Sequence, residues 1–407
     1  MPSAVPLPRG PSRLALFGAE DLLRSSGCPA CRYIAEAGDR FLGWFALEAH
    51  GDPSMITRLC RSLGLCPRHT RGLLGQPGAE ARMTAVYRYL LEAAAGYLTA
   101  RTSPSTPCPA CDHAEEAEQR VLDMLLTGLR EDDLRERYHD GDGLCLPHLR
   151  AAVPRAPRRL AAWLAEDMIA RLAARAPGPA MVAGEGDYDA YIRVRLRAAL
   201  TADLQRSPDL CPACLAAALA ERDAMAEPCA GLCPPHLREA FSGVAGTGHG
   251  PPSPSMARAQ TGDFERSVSW LIRVSSGPRL GAAIRSLASP RGRVAGNGEC
   301  PACRAARTAA DSRLGTWRVA PADRRAPRLC LRHVFSLRRS NPRGADSAVR
   351  TGADVAAAVL QDLEDAFGKR TWARRHETRG PEMTAWLRAA ALIDGRVFGG
   401  GPVRPLR

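Results

Sequence analysis

The sequence predicts a mainly α-helical protein, arranged as a tandem array of small helical modules. Three observations support this fold class. Apolar residues recur every three or four positions between loop-like breaks, alternating β-branched runs are scarce, and two cysteine motifs recur four times in the same order. At 407 residues, the chain is long for one hydrophobic core and suits two to four domains or an extended array.

Four segments carry the clearest helical periodicity, and we expect their apolar faces to be buried in a core. The apolar positions are Met83, Val86, Tyr87, Leu90, Leu91, Ala94, Tyr97 and Leu98; Leu160, Trp163, Leu164, Met168 and Leu172; Val355, Val359, Leu363 and Phe367; and Trp386, Ala389, Ala390 and Ile393.

Each module contains a Cys-Pro-Ala-Cys tetrapeptide followed at a distance by a Cys-x-x-His pair. We expect the tetrapeptide to lead into a helix, because acidic residues such as Asp112 and Glu115 follow it and complement the positive end of a helix dipole. A glycine two residues before the Cys-x-x-His pair would allow a turn with positive φ, although Arg328 replaces it in the fourth copy. The four pairs lie in the stretches GLCPRH, GLCLPH, GLCPPH and RLCLRH.

Thiolate and imidazole donors in paired motifs are typical of tetrahedral zinc sites. We predict four Cys3His sites, each formed within one module, and therefore about four zinc ions. Iron–sulfur clusters are less favoured, because they usually take four cysteines or a Rieske-type pair of histidines. The predicted ligand sets are Cys28, Cys31, Cys66 and His69; Cys108, Cys111, Cys145 and His148; Cys211, Cys214, Cys233 and His236; and Cys300, Cys303, Cys330 and His333.

Loop-like breaks predict the boundaries of four modules. The first two are zinc modules with a following helix, at residues 1–100 and 101–187. Residues 188–262 form the third zinc module and a flexible linker, and residues 263–407 form a basic fourth module with C-terminal helices. The intervals between paired motifs vary, which a metal site tolerates because loop closure costs rise slowly with length.

The composition indicates a globular cytoplasmic protein. No signal peptide is evident, and no apolar run approaches the ~20 residues of a membrane helix. Thiols stay reduced in the cytosol, so clustered cysteines there favour metal or redox chemistry over disulfides. The richness in Arg, Ala, Gly and Pro is typical of a high-GC bacterial proteome.

The net charge of +13 is concentrated in the C-terminal part of the chain. Residues 263–407 hold 27 basic and 13 acidic residues, whereas residues 1–262 hold 29 and 30. A solvated basic face and an anionic partner both explain this bias. Arginines near the fourth motif and around Trp372 leave nucleic-acid binding as an alternative, with Trp372 either stacking on bases or buried in the core.

The sequence contains no recognisable catalytic centre. Lys369 lacks the glycines and the Ser or Thr of a phosphate-binding loop, and no GxSxG motif is present. The Cys-x-x-Cys pairs are similar to those of disulfide oxidoreductases but lack the preceding strand, so redox or metal sensing is a further alternative. Cys60 is expected to be a buried helical thiol, and Cys229 is a candidate substitute ligand.

The repeated motifs, together with the segment from Thr371 to Gly395, resemble uncharacterised bacterial proteins with repeated Cys-Pro-x-Cys and Gly-x-Cys-x-x-His pairs. The resemblance runs from about Leu22 to Gly399 and implies a helical metal-binding fold. The sequence thus favours a non-enzymatic zinc-binding scaffold with an unknown protein partner. Its alternatives are a nucleic-acid-binding protein using residues 263–407 and a thiol-based sensor.

Overall fold

The computed structural model describes residues 13–74, 76, 79–174, 211–226, 300–317 and 328–395. Within these ranges, every regular element is a helix, which confirms the mainly α-helical prediction. Short 3-10 turns lie at Ala49–Gly51, Val153–Arg155 and Pro381–Thr384. The helices are α1 (Arg13–Leu23), α2 (Pro29–Leu47), α3 (Pro53–Ser62), α4 (Pro67–Leu74), α5 (Ala79–Thr99), α6 (Pro109–Gly128), α7 (Asp132–Asp140), α8 (Leu146–Ala152), α9 (Arg158–Ala174), α10 (Pro212–Ala226), α11 (Pro301–Gly315), α12 (Leu331–Ser340), α13 (Pro342–Gly368) and α14 (Ala385–Asp394).

The chain divides into two compact units, each made of three separate stretches of sequence. The first comprises Met1–Ala37, Ala114–Tyr191 and Glu227–Pro301. The second comprises Gly38–His113, Ile192–Ala226 and Ala302–Arg407. The finer division into four zinc modules remains a prediction.

The core of the first unit lies among α6, α8 and α9. Leu125, Leu149 and Leu164 are fully buried there. Arg171 of α9 is also buried. Its charge is compensated there, because the guanidinium pairs with Asp167 at 2.6 Å and donates to backbone carbonyls of residues 138, 139 and 141. These bonds fix the segment between α7 and α8 that leads to Cys145.

The core of the second unit is built on α5 and α13, which pack along one another, with α12 and α14 against α13. Leu91 of α5, Leu363 of α13 and Ile393 of α14 are buried in it. The predicted apolar faces are therefore confirmed except at Phe367, which lies at the end of its stripe and is 44% exposed. Trp372, which lies outside those stripes, is 77% exposed, so it is not a core residue.

A tight turn carries the chain from α3 toward Cys66. Leu63 and Gly64 have φ values of 53° and 83°, and the Gly64 amide donates to the Leu59 carbonyl at 2.8 Å. This left-handed turn ends the helix as predicted for a glycine before the Cys-x-x-His pair. Gly143 has φ of 64° before Cys145, which confirms the same expectation in the second copy.

No helix within the described residues is both long and apolar enough to cross a membrane.

Candidate metal centres

Site A consists of Cys28, Cys31, Cys145 and His148, whose donor atoms all lie within 4.8 Å of one another. Cys28 precedes α2, Cys31 lies in its first turn, and Cys145 and His148 occupy the start of α8. The Nδ1 atom of His148 lies 3.5, 3.3 and 3.1 Å from the sulfurs of Cys28, Cys31 and Cys145. All three thiols are buried, so the donors converge in an enclosed position.

Site B consists of Cys66, His69, Cys108 and Cys111. The Nδ1 atom of His69 lies 3.3, 3.6 and 3.5 Å from the sulfurs of Cys66, Cys108 and Cys111. Cys66 and His69 lie at the start of α4, and Cys108 and Cys111 lie at the start of α6. Cys111 is exposed and Cys66 is half-buried, so site B is more accessible to solvent than site A.

Site C consists of Cys211, Cys214, Cys330 and His333. The Nδ1 atom of His333 lies 3.4, 3.3 and 3.2 Å from the sulfurs of Cys211, Cys214 and Cys330. The pairs open α10 and α12, and all three thiols are buried.

The predicted residue types therefore converge, but the predicted quartets are wrong for these three sites. The first three Cys-Pro-Ala-Cys pairs each join the Cys-x-x-His pair of a different copy, rather than the one that follows them. The first tetrapeptide joins the second His motif, the second tetrapeptide joins the first His motif, and the third tetrapeptide joins the fourth His motif. The first two sites are consequently nested in the sequence, with site B between the two halves of site A.

Four motif residues remain outside these three sites, namely Cys233, His236, Cys300 and Cys303, and only two of them are described. Cys233 and His236, like the leftover Cys229, lie outside the described residues. Cys300 is buried and Cys303 is half-buried at the start of α11. They are not grouped with Cys330 and His333, because those two residues belong to site C.

The donor spacing fits one tetrahedral ion. Zinc bonds of about 2.3 Å to sulfur and about 2.0 Å to nitrogen place neighbouring sulfurs about 3.8 Å apart, and sulfur and nitrogen about 3.5 Å apart. The measured sulfur–sulfur distances are 3.7 Å for Cys31–Cys145, 3.7 Å for Cys66–Cys111 and 3.8 Å for Cys214–Cys330. These distances are far beyond a disulfide bond, and they are too short for ligands distributed over several irons of a cluster.

The pKa values of the grouped thiols also favour a bound cation. The pKa of Cys28 lies well below its usual value because the Cys145 and Cys31 side chains hydrogen-bond to its sulfur. The pKa of Cys145 is raised, first because its thiol hydrogen-bonds to the sulfurs of Cys28 and Cys31, and then because it is buried. Three neighbouring thiolates thus oppose one another unless a cation lies between them, which a divalent ion would supply.

All three groups have thiols at helix N-termini. The positive ends of the helix dipoles favour negative charge, and therefore lower the cost of a thiolate next to α2, α6 and α10. The other ring nitrogen of His148, Nε2, lies 3.8 Å from Glu118 Oε1, the kind of acidic neighbour that orients a ligating imidazole.

The other cysteine and histidines near these motifs have separate partners. Cys60 is half-buried on α3, and its sulfur lies 3.7 Å from the Tyr89 carbonyl. His113 stacks on Phe41 with ring centroids 4.9 Å apart. His139 lies 2.5 Å from buried Asp167, so its ring is anchored within the first unit.

Sequence reasoning missed the residues that surround site C. Arg332 is one of the arginines near the fourth motif that could contact phosphates, but its Nε lies 2.5 Å from Asp394 Oδ1 and its side chain is only one-third exposed. Gly395, with φ of 62°, lies so close that an added Cβ would be 2.7 Å from the Cys214 sulfur. Its place in the stretch LIDGR after an apolar stripe was the only available signal, and it indicates a helix end rather than a metal site.

The chain matches no protein-family model, no curated protein and no solved structure. The resemblance to bacterial proteins with repeated Cys and His pairs therefore remains an expectation.

Proposed function

We propose that this protein is a non-enzymatic helical scaffold whose Cys3His groups hold structural zinc. The observation that carries the proposal is the closed set of four donors at site A, where three buried thiols and one imidazole fill every position of a tetrahedron. A catalytic zinc keeps a position open for water or substrate, so a full set of protein ligands favours a structural role.

Zinc at these sites would join distant parts of each unit. In site A, the ion would connect the start of α2 to the start of α8, although the cysteines concerned lie 114 positions apart. Since ion binding requires the folded arrangement of donors, its free energy contributes directly to folding. Three ions are expected from sites A, B and C, and a fourth if the remaining motif cysteines and histidine also group together.

Chelation tests this role. Treating the full-length protein with a strong zinc chelator under reducing conditions is expected to lower its far-UV helical signal and its melting temperature, with recovery when zinc is restored. Retention of the full helical signal after complete removal of metal would contradict the proposal. Magnesium added in place of zinc is the matched control, because Mg²⁺ prefers oxygen ligands and should not restore the fold.

The protein-interaction part of the proposal is supported by an aromatic surface on α5 and α13. Tyr89 and Phe367 are 38% and 44% exposed, and the Arg88 guanidinium lies 5.1 and 5.6 Å from their ring centroids. Tyrosine and arginine are enriched where binding energy concentrates in protein interfaces. We therefore expect the double variant Tyr89→Ala and Phe367→Ala to lose protein partners that the wild-type protein retains, with unchanged zinc content.

Nucleic-acid binding is a second candidate, supported by one observation. Trp372 is 77% exposed and stacks against Arg375, whose guanidinium lies 3.1 Å from the ring centroid. An exposed tryptophan beside arginines can stack on a base. However, Arg374 is already paired with Asp365 and Glu377, which reduces the positive surface available to phosphates.

Titration with short fluorescent DNA and RNA strands tests this candidate. Binding that weakens steeply with salt and falls in a Trp372→Ala variant would support it, because counterion release drives phosphate contacts. No change in fluorescence on titration at low salt would exclude nucleic-acid binding. The Tyr89→Ala and Phe367→Ala double variant is the matched control, since it should retain nucleic-acid binding.

A thiol-based sensor is a third candidate, favoured by the exposure of Cys111 in site B. A hydroperoxide would oxidise the Cys111 thiolate to a sulfenate and release water or an alcohol. A proton from solvent would convert the sulfenate to a sulfenic acid. The Cys66 thiolate, whose sulfur lies 3.7 Å away, would then attack the oxidised sulfur, displace hydroxide and form a disulfide, so that the ion leaves.

Mass spectrometry after peroxide treatment tests the sensor. Oxidation of Cys111 and Cys66 with loss of one ion, reversed by reductant and zinc, would support it. Equal oxidation rates at sites A, B and C would exclude a dedicated sensor at site B, because the thiols of sites A and C are buried.

A further inference from the structure

A buried polar cluster lies between sites B and C in the second unit. It centres on Asp394, the last residue of α14, whose side chain is 2% exposed. Its Oδ1 accepts a hydrogen bond from Arg332 Nε at 2.5 Å, and its Oδ2 accepts one from Thr70 Oγ1 at 2.8 Å. One carboxylate therefore contacts a residue inside one Cys-x-x-His motif and a residue next to another.

The two contacted residues adjoin ligands of different sites. Arg332 immediately precedes His333 of site C, and Thr70 immediately follows His69 of site B. Loss of the carboxylate would therefore release both motifs together.

Arg332 also holds the approach to site B directly. Its Nη2 donates to the carbonyls of Leu63 and Leu65 at 3.1 and 2.9 Å. Leu65 precedes Cys66, so the ligand segment of site B is held at one end by Arg332 and at the other by Asp394 through Thr70. A guanidinium satisfies this geometry because its planar fork offers several donors at once.

Because the Arg332–Asp394 ion pair is largely buried, loss of either partner would be costly. Burial raises the pKa of Asp394 to about 6, and the Arg332 guanidinium limits that rise. Removing one partner of a buried ion pair leaves an uncompensated charge, so the surrounding backbone must move. Gly395, the next residue, packs closely against site C, since a Cβ on it would lie 2.7 and 2.8 Å from the sulfurs of Cys214 and Cys330. Movement of the backbone at Asp394 would therefore reach these two sulfurs.

From this geometry we propose that Arg332 and Asp394 are positioning residues that couple metal binding at sites B and C, so that loss of the ion at one site weakens binding at the other. The inference rests on the proposed structural metal sites and adds a thermodynamic linkage between two of them. Linkage of this kind is reciprocal: the factor by which site C affects site B equals the factor by which site B affects site C.

The experiment uses the zinc-loaded full-length protein and follows each site by its own cysteines. Thiols become available for alkylation when an ion leaves, so mass spectrometry of Cys111 reports site B, and Cys31 of site A is the internal control. In the wild-type background, His333→Ala at site C is expected to increase the alkylation rate of Cys111 at least about fivefold, within the usual range of site-to-site coupling. The rate at Cys31 should not change.

Removal of the connecting pair should abolish that effect. In a protein carrying Arg332→Met and Asp394→Leu together, which leaves no unpaired charge behind, His333→Ala is expected to change the Cys111 rate less than twofold. Thr70→Val, which removes only the hydroxyl, should reduce the coupling without removing the ion pair, and Thr70→Ser should restore it. If the double replacement fails to fold, the two Thr70 variants still test the coupling.

Two results would overturn the proposal: an unchanged Cys111 rate when site C is disrupted, or an equal increase with and without the Arg332–Asp394 pair. A preparation that contains no metal under any condition would instead refute the structural zinc sites themselves. Three bound ions that leave independently would refute only the coupling.

Discussion

The sulfur atoms of Cys31 and Cys145 lie 3.7 Å apart, although the two residues are separated by 114 positions in the sequence. Cys31 is the last residue of the first Cys-Pro-Ala-Cys tetrapeptide and lies in the first turn of α2, and Cys145 begins the second Cys-x-x-His pair. This contact shows that the first tetrapeptide meets the His motif of the second copy and not that of its own copy.

Replacement of either of two site A ligands that come from different copies of the motifs should remove the same zinc ion. Because site A combines Cys28 and His148, the single variants Cys28→Ser and His148→Ala should each lower the zinc content by about one ion, and the double variant should lower it no further. Elemental analysis of the purified variants measures this. Cys60→Ser is the control, since Cys60 belongs to none of the described metal groups.

The outcome that would contradict the exchanged grouping is equally clear. If Cys28→Ser and His69→Ala remove the same ion, while Cys28→Ser and His148→Ala remove different ions, the sites form within copies instead.

Gly395→Ala should damage site C selectively. The new methyl group would lie 2.7 Å from the Cys214 sulfur, and a φ of 62° with a ψ of −44° costs a residue with a side chain about 1–3 kcal/mol. We expect one ion to bind more weakly and the melting temperature to fall. Gly96→Ala is the control, because a Cβ there meets no atom within 4 Å on α5 and should be neutral or stabilising by up to about 1 kcal/mol. Equal effects of the two substitutions would be inconsistent with the position of Gly395.

Leu125→Ala should lower the free energy of unfolding of the zinc-loaded protein by about 2–5 kcal/mol, because Leu125 is fully buried in the first unit. Urea unfolding followed by circular dichroism measures the change. Leu47→Ala is the matched control: Leu47 is 54% exposed, so its loss should change the free energy by less than about 0.5 kcal/mol. A neutral Leu125→Ala variant would show that this core is not formed.

Glu382 should make the C-terminal part of the second unit sensitive to acid. Its pKa lies below the ordinary value of 4.5, first because the Gly380 amide donates to it at 2.6 Å and then because Lys369 pairs with it at 3.0 Å. A lowered pKa in the folded state means that this contribution to stability is present above pH 4.5 and is lost as the pH falls through the lowered value.

The variant Glu382→Gln tests that sign. Its melting temperature should be lower than that of the wild-type protein at pH 7, and the difference between the two should shrink below pH 4.5. Zinc release at low pH affects both proteins and cancels in the comparison. A difference that grows on acidification would contradict the assigned direction of the pKa.

The sequence was sufficient to predict the helices and the ligand types, because both depend on local patterns. Periodic apolar residues such as Leu90 and Leu164 face the cores, and helices begin at the proline of the tetrapeptides, as at Pro29 and Pro109. These features follow from helix geometry and from the conformation of the first turn.

The grouping of ligands could not be predicted from spacing. Pairing Cys31 with Cys145 instead of Cys66 lengthens the closed loop roughly threefold, which costs only about 1 kcal/mol of loop entropy. That difference is smaller than the packing energy of one buried leucine, so the long-range cores decide which motifs meet. The cluster at Arg332 and Asp394 was missed for the same reason, since its partners come from distant parts of the chain.

The most direct test of the account is the metal content and coordination of the protein purified without added metal under reducing conditions. We predict at least three zinc ions per chain, with an X-ray absorption spectrum that fits three sulfur and one nitrogen ligand at about 2.3 and 2.0 Å. A metal-free protein that retains its full helical content, or zinc coordinated mainly by oxygen, would contradict it.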